Sequence, residues 1–445
     1  MAKDMTEGSP ARLILFFTLP LIAGNIMQQL YAFIDTLLVG RFLGIEALAA
    51  VGSTGSLMFL LLGFVIGLTS GFSICTGQRY GARDADGVRR SAAACAVLSL
   101  STALVLSVVG FFFCRPLLEV MNTPRELLDN ATAFFSIICG GTIFATGALM
   151  AANILRALGD SKMPTLIIGI GIAVNIALEV LFLLVFGWGI PGAAFATVVS
   201  WAFATGIFLV YIARRVPELH VRRDDWRLSW SFLREHLEIG LPMGFQASII
   251  AFGAVILQVA LNGLGPVSVA AYAAAQKVDT IAMMPMMSFG AAMAAYTAQN
   301  YGAGKFSRIR DGVRKCSWMS VGFSIVGGAL IIVAGPSVME LFVGAEEQEA
   351  IRLGQLYLTV NGLTYWILAF LFIFRYTLQG LGQSIVPTVA GVMELIMRAT
   401  AGIFLVDVLG FLGASLGNPM AWLGSCVPLA AAYVMTVRRL PKEGR

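Results

Sequence analysis

The sequence predicts an all-α integral membrane protein of twelve transmembrane helices in two pseudo-symmetric six-helix lobes, and three observations lead there. The first is composition. Of 445 residues, 58% are hydrophobic and 12% charged, with a mean hydropathy of +0.83, whereas about 25% charged residues is usual for soluble domains. The second is the length of the apolar runs, which follow one another from about residue 13 to residue 437. Each is long enough to cross roughly 30 Å of hydrocarbon, and helices are required because lipid cannot satisfy open backbone groups. The third is repetition. Thr-x-Gln-x-Tyr-Gly-Ala fills residues 76–82 and again 297–303. Leu19-Pro20 recurs as Leu241-Pro242, Leu43-Gly44 as Leu264-Gly265, Leu158-Gly159 as Leu381-Gly382, and Pro164-Thr165 as Pro387-Thr388. A unit repeated in register within a membrane chain points to a secondary transporter.

The spans follow in order. Span 1, expected at about 13–39, comes after a start with no small-residue cleavage site behind a short apolar core, so it is read as retained. Pro20 inside it removes one backbone bond and offers a kink, either fixed or coupled to function. Span 2 (48–76) runs into the first copy of the repeated motif, read as a tight turn, and spans 3 and 4 follow at 92–113 and 132–154. Span 5 (164–186) opens at Pro164-Thr165 and span 6 covers 191–212. Residues 214–238 form the longest polar segment, midway along the chain, and are expected to link a first lobe (1–213) to a second (239–445). Spans 7–12 are expected at 241–262, 268–298, 317–338, 354–378, 386–407 and 414–436.

Loop charge sets orientation. Lys3, Arg12, Arg79, Arg83, Arg89, Arg90, Arg156, Lys162, the arginines of the linker, the basic loop from Lys305 to Lys315, and Arg438, Arg439, Lys442 and Arg445 all fall on one side. Arg41, Arg115, Arg125 and Arg352 fall on the other, where Glu340, Glu346, Glu347 and Glu349 make a loop acidic. Basic loops stay cytoplasmic, so both termini are expected there. The net charge of +5 then reflects topology and calls for no nucleic-acid partner.

Several chemistries lack candidates. Cysteines 75, 95, 114, 139, 316 and 426 show no Cys-x-x-Cys spacing, both histidines (220 and 236) fall in the linker segment, and there is no P-loop. An enzyme is not expected, and energy comes from an ion gradient or from none.

Few charges remain inside the spans, and each is a functional candidate because lipid exposure is costly. Lys277 and Asp279 are close in sequence, and Glu394 and Arg398 are spaced i, i+4. Both pairs are read as either structural neutralisation or a direct role in substrate binding or coupling. Asp35 and Glu179 have no cation near them in sequence. At a rise of 1.5 Å per residue, Asp35 lies about 8 Å below the outer end of span 1, while Glu179 and Thr197 lie about 10 Å below the outer ends of spans 5 and 6. Asn175 is one turn below Glu179 on the same face. Two carboxylates, an amide and a hydroxyl make a hard oxygen site for Na⁺ or a proton. The bland alternative is that Asn175 and Thr197 bond neighbouring backbone while the acids face an aqueous vestibule. The second lobe is an internal control: Asp35 answers to Ile256, Asn175 to Arg398, Glu179 to Gly402 and Thr197 to Asn418. The scaffold is duplicated and the acids are not, which favours function. Met283, Met284, Met286, Met287 and Met293 in span 8 offer either an adaptable lining for varied substrates or ordinary packing.

Gly24-Asn-Ile-Met-Gln-Gln-Leu-Tyr-Ala-Phe-Ile-Asp-Thr-Leu-Leu-Val-Gly-Arg41, the two Gln-x-Tyr-Gly-Ala loops, Leu155-Arg-Ala-Leu-Gly-Asp-Ser-Lys-Met-Pro164 and Phe374-Arg-Tyr-Thr-Leu-Gln-Gly-Leu-Gly382 together resemble the multidrug and toxic compound extrusion (MATE) family, within it the bacterial DinF-like and MepA-like branches. The resemblance covers nearly the whole chain. It implies alternating access between two lobes and export of organic cations against inward H⁺ or Na⁺; amphipathic substrates, the bacterial plasma membrane as location, no cofactor beyond the coupling ion and a monomer in the lipid bilayer are the accompanying expectations. It also implies that Asp35, Asn175, Glu179 and Thr197 hold the coupling cation, with Glu179 standing where an Asp is usual, and that Pro20 bends span 1 when the acid changes state. An alternative is flipping of a lipid-linked saccharide, as in related superfamilies, which would call for a cationic cavity around Arg375 and Arg398.

Overall fold

A computed structural model describes residues 4–121 and 123–441. Lys3, Lys442 and Arg445 lie outside the described residues. Among those described there is no strand, and twelve helices are long and apolar enough to cross a membrane. The first six are Pro10–Leu43, Gly55–Gly81, Ala85–Val120, Arg125–Ala157, Lys162–Val185 and Gly189–Arg215. Spans 7–12 are Trp230–Asn262, Pro266–Gly302, Phe306–Val343, Gln348–Gly380, Ile385–Leu409 and Phe411–Arg439.

Local chemistry sets the ends. Span 3 is capped by Asp84, whose carboxylate accepts the Gly87 N–H at 2.9 Å, and span 8 starts with Pro266 in its first turn. The expected span 2 is broken in two, because a short helix Ile45–Ser53 precedes Gly55–Gly81. The expected linker is shorter than its polarity suggests. Span 7 already begins at Trp230, so residues 230–238 are helical and His236 is buried in that helix rather than in a loop.

Backbone geometry repeats as the sequence does. Left-handed residues occur at Gly44 and Gly265 (φ 85° and 93°), Gly159 and Gly382 (88° and 81°), Gly189 and Gly410 (62° and 57°), and Arg83 and Gly304 (58° and 68°). The last pair shows the constraint most clearly, since the second copy relieves with glycine a conformation that costs a side chain energy. Spans 5 and 11 also widen into π-helix at equivalent places, Leu181–Val185 and Ala401–Leu405.

Two compact units emerge: one contains residues 23–244, the other residues 5–22 together with the chain from Phe245 onward. The boundaries fall just after Pro20 and Pro242, inside spans 1 and 7. Each unit therefore includes the first turns of a helix whose remainder belongs to the other. In the first unit, span 7 packs on span 2 so closely that a Cβ on Gly71 would sit 2.5 Å from the Gly240 Cα, and Leu68, Phe72 and Phe208 are fully buried in the adjoining core. In the second unit, Ile14, Phe17 and Leu21 pack with Phe289, Met293 and Tyr296 of span 8.

The repeated motif explains how those first turns are held. In the first unit Thr76 shares a 2.8 Å hydrogen bond with Ser91, Ser91 meets His236 Nε2 at 2.8 Å, and Arg79 pairs with Glu235 at 2.6 Å. In the second, Gln299 Oε1 accepts the Met5 N–H at 2.9 Å and Asn300 Nδ2 donates to the Met5 carbonyl at 3.1 Å. Lys305 Nζ then donates to the Thr6 carbonyl at 2.9 Å. Both copies of the motif grip the chain where a shared helix begins.

Candidate functional site

The first unit brings together all four residues expected to form one site. Span 1 supplies Asp35, span 5 Asn175 and Glu179, span 6 Thr197. Asn175 Nδ2 donates to Thr197 Oγ1 at 3.4 Å and to Ser200 Oγ at 3.3 Å. The two hydroxyls are tied back to their own helix, Thr197 to the Ala193 carbonyl at 3.2 Å and Ser200 to the Thr197 carbonyl at 2.7 Å. Glu179 is 1% exposed and Asn175 3%. Among the described residues, neither Glu179 oxygen nor the Asn175 Oδ1 receives a protein donor. The carboxyls of Asp35 and Glu179 lie within hydrogen-bonding reach of each other, a contact that only a shared proton turns into a bond. The phenol of Tyr31 lies near both Asp35 and Thr197.

Three acceptor oxygens without a donor among the described residues, around a pair of acids, are chemically able to hold one small cation or one proton. Asn175 presents its amide N–H groups to the hydroxyls, which points its carbonyl oxygen away from them and leaves it available. The π-helical turn beginning at Leu181, two residues beyond Glu179, falls where such irregularities often accompany functional sites. Beside the acids is a cavity of about 160 Å³ lined by Gln28, Tyr31, Ile172, Asn175, Ser200 and Trp201 among others.

Tyr31 and Ser200 are members that the sequence reading missed. Tyr31 precedes Asp35 by four residues and Ser200 follows Thr197 by three, so helical spacing alone places each on the face of a residue already singled out.

The second unit treats the equivalent positions differently. Arg398 Nε donates to Asn418 Oδ1 at 3.2 Å, Asn418 Nδ2 to the Tyr357 hydroxyl at 3.0 Å, and Tyr357 to Asp279 Oδ2 at 3.1 Å. Tyr365 donates to the other Asp279 oxygen. Glu394 takes Arg375 on one oxygen and Arg398, at 3.5 Å, on the other, and Arg375 also donates to Ser425 at 3.1 Å. The expected Glu394–Arg398 pair is thus present and enlarged. The expected Lys277–Asp279 pair does not form: Lys277 is exposed, Asp279 is 1% exposed, and two tyrosine hydroxyls satisfy the carboxylate. Residues two apart point to opposite sides of a helix, so proximity in sequence misled.

Pro20 lies within span 1 but in the second unit, fifteen residues before Asp35 in the first. The span 8 methionines are divided. Met286 and Met293 are fully packed in cores and Met284 is buried, while Met287 is exposed. They do not present one common lining.

These features define a duplicated, twelve-helix membrane protein with a buried acid pair in its first repeat. The MatE family model matches residues 20–181 and 242–402, and the chain belongs to that family: it is a transporter and not an enzyme. The probable multidrug resistance protein YpnP of Bacillus subtilis is 29% identical over 95% of this chain and 95% of its own length. The probable multidrug resistance protein NorM of Thermotoga maritima is 23% identical, with 90% and 87% covered. A solved structure described as the outward-facing conformation of a multidrug resistance MATE family transporter has the same fold, with a TM-score of 0.92 at 22% identity, covering 99% of this chain and 98% of that one.

Proposed function

We propose that this protein exports amphipathic organic cations across the bacterial plasma membrane, with both termini cytoplasmic, by antiport against an inward flow of H⁺ or Na⁺. Asp35 and Glu179 bind the driving ion, Asn175 and Thr197 complete its oxygen shell, and Pro20 gives span 1 the break at which it bends when the acids change charge. The observation that carries this reading is the acid pair itself: two carboxyls within reach of each other, one of them almost fully buried, with no side-chain cation among the described residues to neutralise them. Such a pair is stable with a proton or a metal cation and costly without either. The relatives named as multidrug resistance proteins support the substrate class.

The lipid-linked saccharide alternative loses ground on the second unit. Arg375 and Arg398, the cations it would need, are committed to Glu394, Ser425 and Asn418.

The test is transport of a fluorescent organic cation in proteoliposomes under pH and Na⁺ gradients imposed separately. One gradient is expected to drive accumulation against the concentration difference. Movement that merely equilibrates the dye under both gradients would refute antiport.

A further inference from the structure

A second cavity in the first unit has no part in the acidic pocket. It is a groove of about 490 Å³ bounded by spans 3, 4 and 6 and by the linker, with Ser99, Phe144, Gly147, Leu209, Leu219 and Trp226 among its lining residues. Its walls are almost wholly apolar. Ser99 is an exception: it is 4% exposed, and its hydroxyl has no hydrogen-bond partner among the described residues. The linker runs over one end, contributing Leu219, Val221 and Trp226. Trp226 is 51% exposed, as an indole at a membrane surface is expected to be.

Charge at that end is mixed, with an excess of arginine, and the exposed acids there are Glu218 and Asp224. Asp225 is turned inward, where it accepts the Arg222 N–H at 2.7 Å and pairs with Arg89 at 3.3 Å. Asp224 is 3.8 Å from Arg227. Arg214, Arg215, Arg222 and Arg223 are exposed and form no ion pair among the described residues. Arg222 and Arg223 sit in the chain between Val221 and Trp226, both of which line the groove. An apolar slot whose linker wall carries exposed arginines one and two residues along the chain from Val221 matches an anionic amphiphile, because guanidinium binds phosphate in two-pronged fashion and basic clusters at a membrane surface attract anionic lipid.

We propose that the groove is a structural lipid site that holds one acyl chain of an anionic phospholipid from the leaflet the linker faces, with the phosphate on Arg222 and Arg223. The occupant braces spans 3, 4 and 6 on the side away from the acidic pocket. The inference does not depend on which ion drives transport.

Native mass spectrometry of the full-length protein, equilibrated with equal phosphatidylglycerol and phosphatidylcholine, tests it. The wild type is expected to retain at least one phosphatidylglycerol, preferred about tenfold over phosphatidylcholine. Arg222→Gln with Arg223→Gln, both surface changes, is expected to abolish that preference. Gly147→Leu fills the groove, since even a Cβ there meets Thr205 Cγ2 at 3.1 Å, and is expected to remove retained lipid of both kinds. Should the Gly147 variant fail to fold, the arginine variant decides alone. Equal retention of the two lipids by the wild type, or an unchanged preference in the arginine variant, would overturn the proposal. So would displacement of the lipid by a transported organic cation, which would make the groove part of the substrate path.

Discussion

Arg398 Nε donates to Asn418 Oδ1 at 3.2 Å, at the two positions that answer in the repeat to Asn175 and Thr197, themselves joined at 3.4 Å. One scaffold therefore holds two chemistries. Among the described residues, the first repeat gathers acids with no side-chain cation paired to them, whereas the second sets two guanidinium groups against the one carboxylate of Glu394. Under the proposed function, the first repeat exchanges the ion, while the second holds an internal charge network around Glu394.

Removing Glu394 should expose that network. Glu394→Gln leaves Arg375 and Arg398 buried with no carboxylate between them, and losing one partner of a buried pair typically costs about 3–5 kcal/mol. A clear fall in unfolding temperature in detergent is expected. Unchanged stability would mean that water already screens the two arginines.

Asp279 should tolerate neutralisation. In Asp279→Asn the Tyr365 or Tyr357 hydroxyl still finds the side-chain carbonyl, so the loss should be near the ~1 kcal/mol of a single hydrogen bond, and gradient-driven transport should persist. Loss of coupling in this variant, with stability kept, would give the second repeat a part in ion exchange that is denied to it here.

Asn175→Leu should weaken the ion without removing its acids. Thr197 and Ser200 lose a donor and the ion loses the Oδ1 oxygen, so about a tenfold higher driving-ion concentration should be needed, equivalent to roughly 1.4 kcal/mol. Transport titrated against the driving ion checks this, and an unshifted half-saturation would exclude Asn175 from the shell.

Gly71→Ala should disturb the packing of span 7 on span 2. The new methyl meets backbone, not a flexible side chain, at Gly240, and overpacking of this kind costs about 1–3 kcal/mol. Thermal unfolding of the variant should fall measurably below the wild type.

Gln299→Ala should release the segment before span 1. It leaves the Met5 N–H without its acceptor in a place where Met5 is 1% exposed, a loss of about 1–3 kcal/mol for a buried unsatisfied group. Faster hydrogen exchange confined to residues 5–8 and the neighbouring turn of span 8 is the expected readout.

The spans were legible because lipid leaves an apolar chain little choice but the helix, and the duplication was legible because its landmarks keep register. Asp35, Asn175, Glu179 and Thr197 could be grouped from depth along straight helices, and the fold brings them together. Depth could not reveal that Tyr31 of span 1 lies near Thr197, which is a matter of rotation. The division of spans 1 and 7 between units rests on contacts such as Met5 with Gln299, nearly three hundred residues apart, which no local pattern records. Lys277 and Asp279 were paired by adjacency, although a helix sends them to opposite sides. The polar start of span 7 read as linker because Arg79 and Ser91, which partner Glu235 and His236 there, come from distant helices.

The central claim is that Asp35 and Glu179 exchange the driving ion for the exported compound. The most direct measurement compares Asp35→Asn with the wild type in two assays on the same proteoliposomes: uphill transport of an organic cation under the effective gradient, and exchange of labelled for unlabelled substrate with no gradient. The account predicts that the variant, inserted at equal density, loses uphill transport and keeps exchange. Uphill transport by Asp35→Asn at the wild-type level would contradict it.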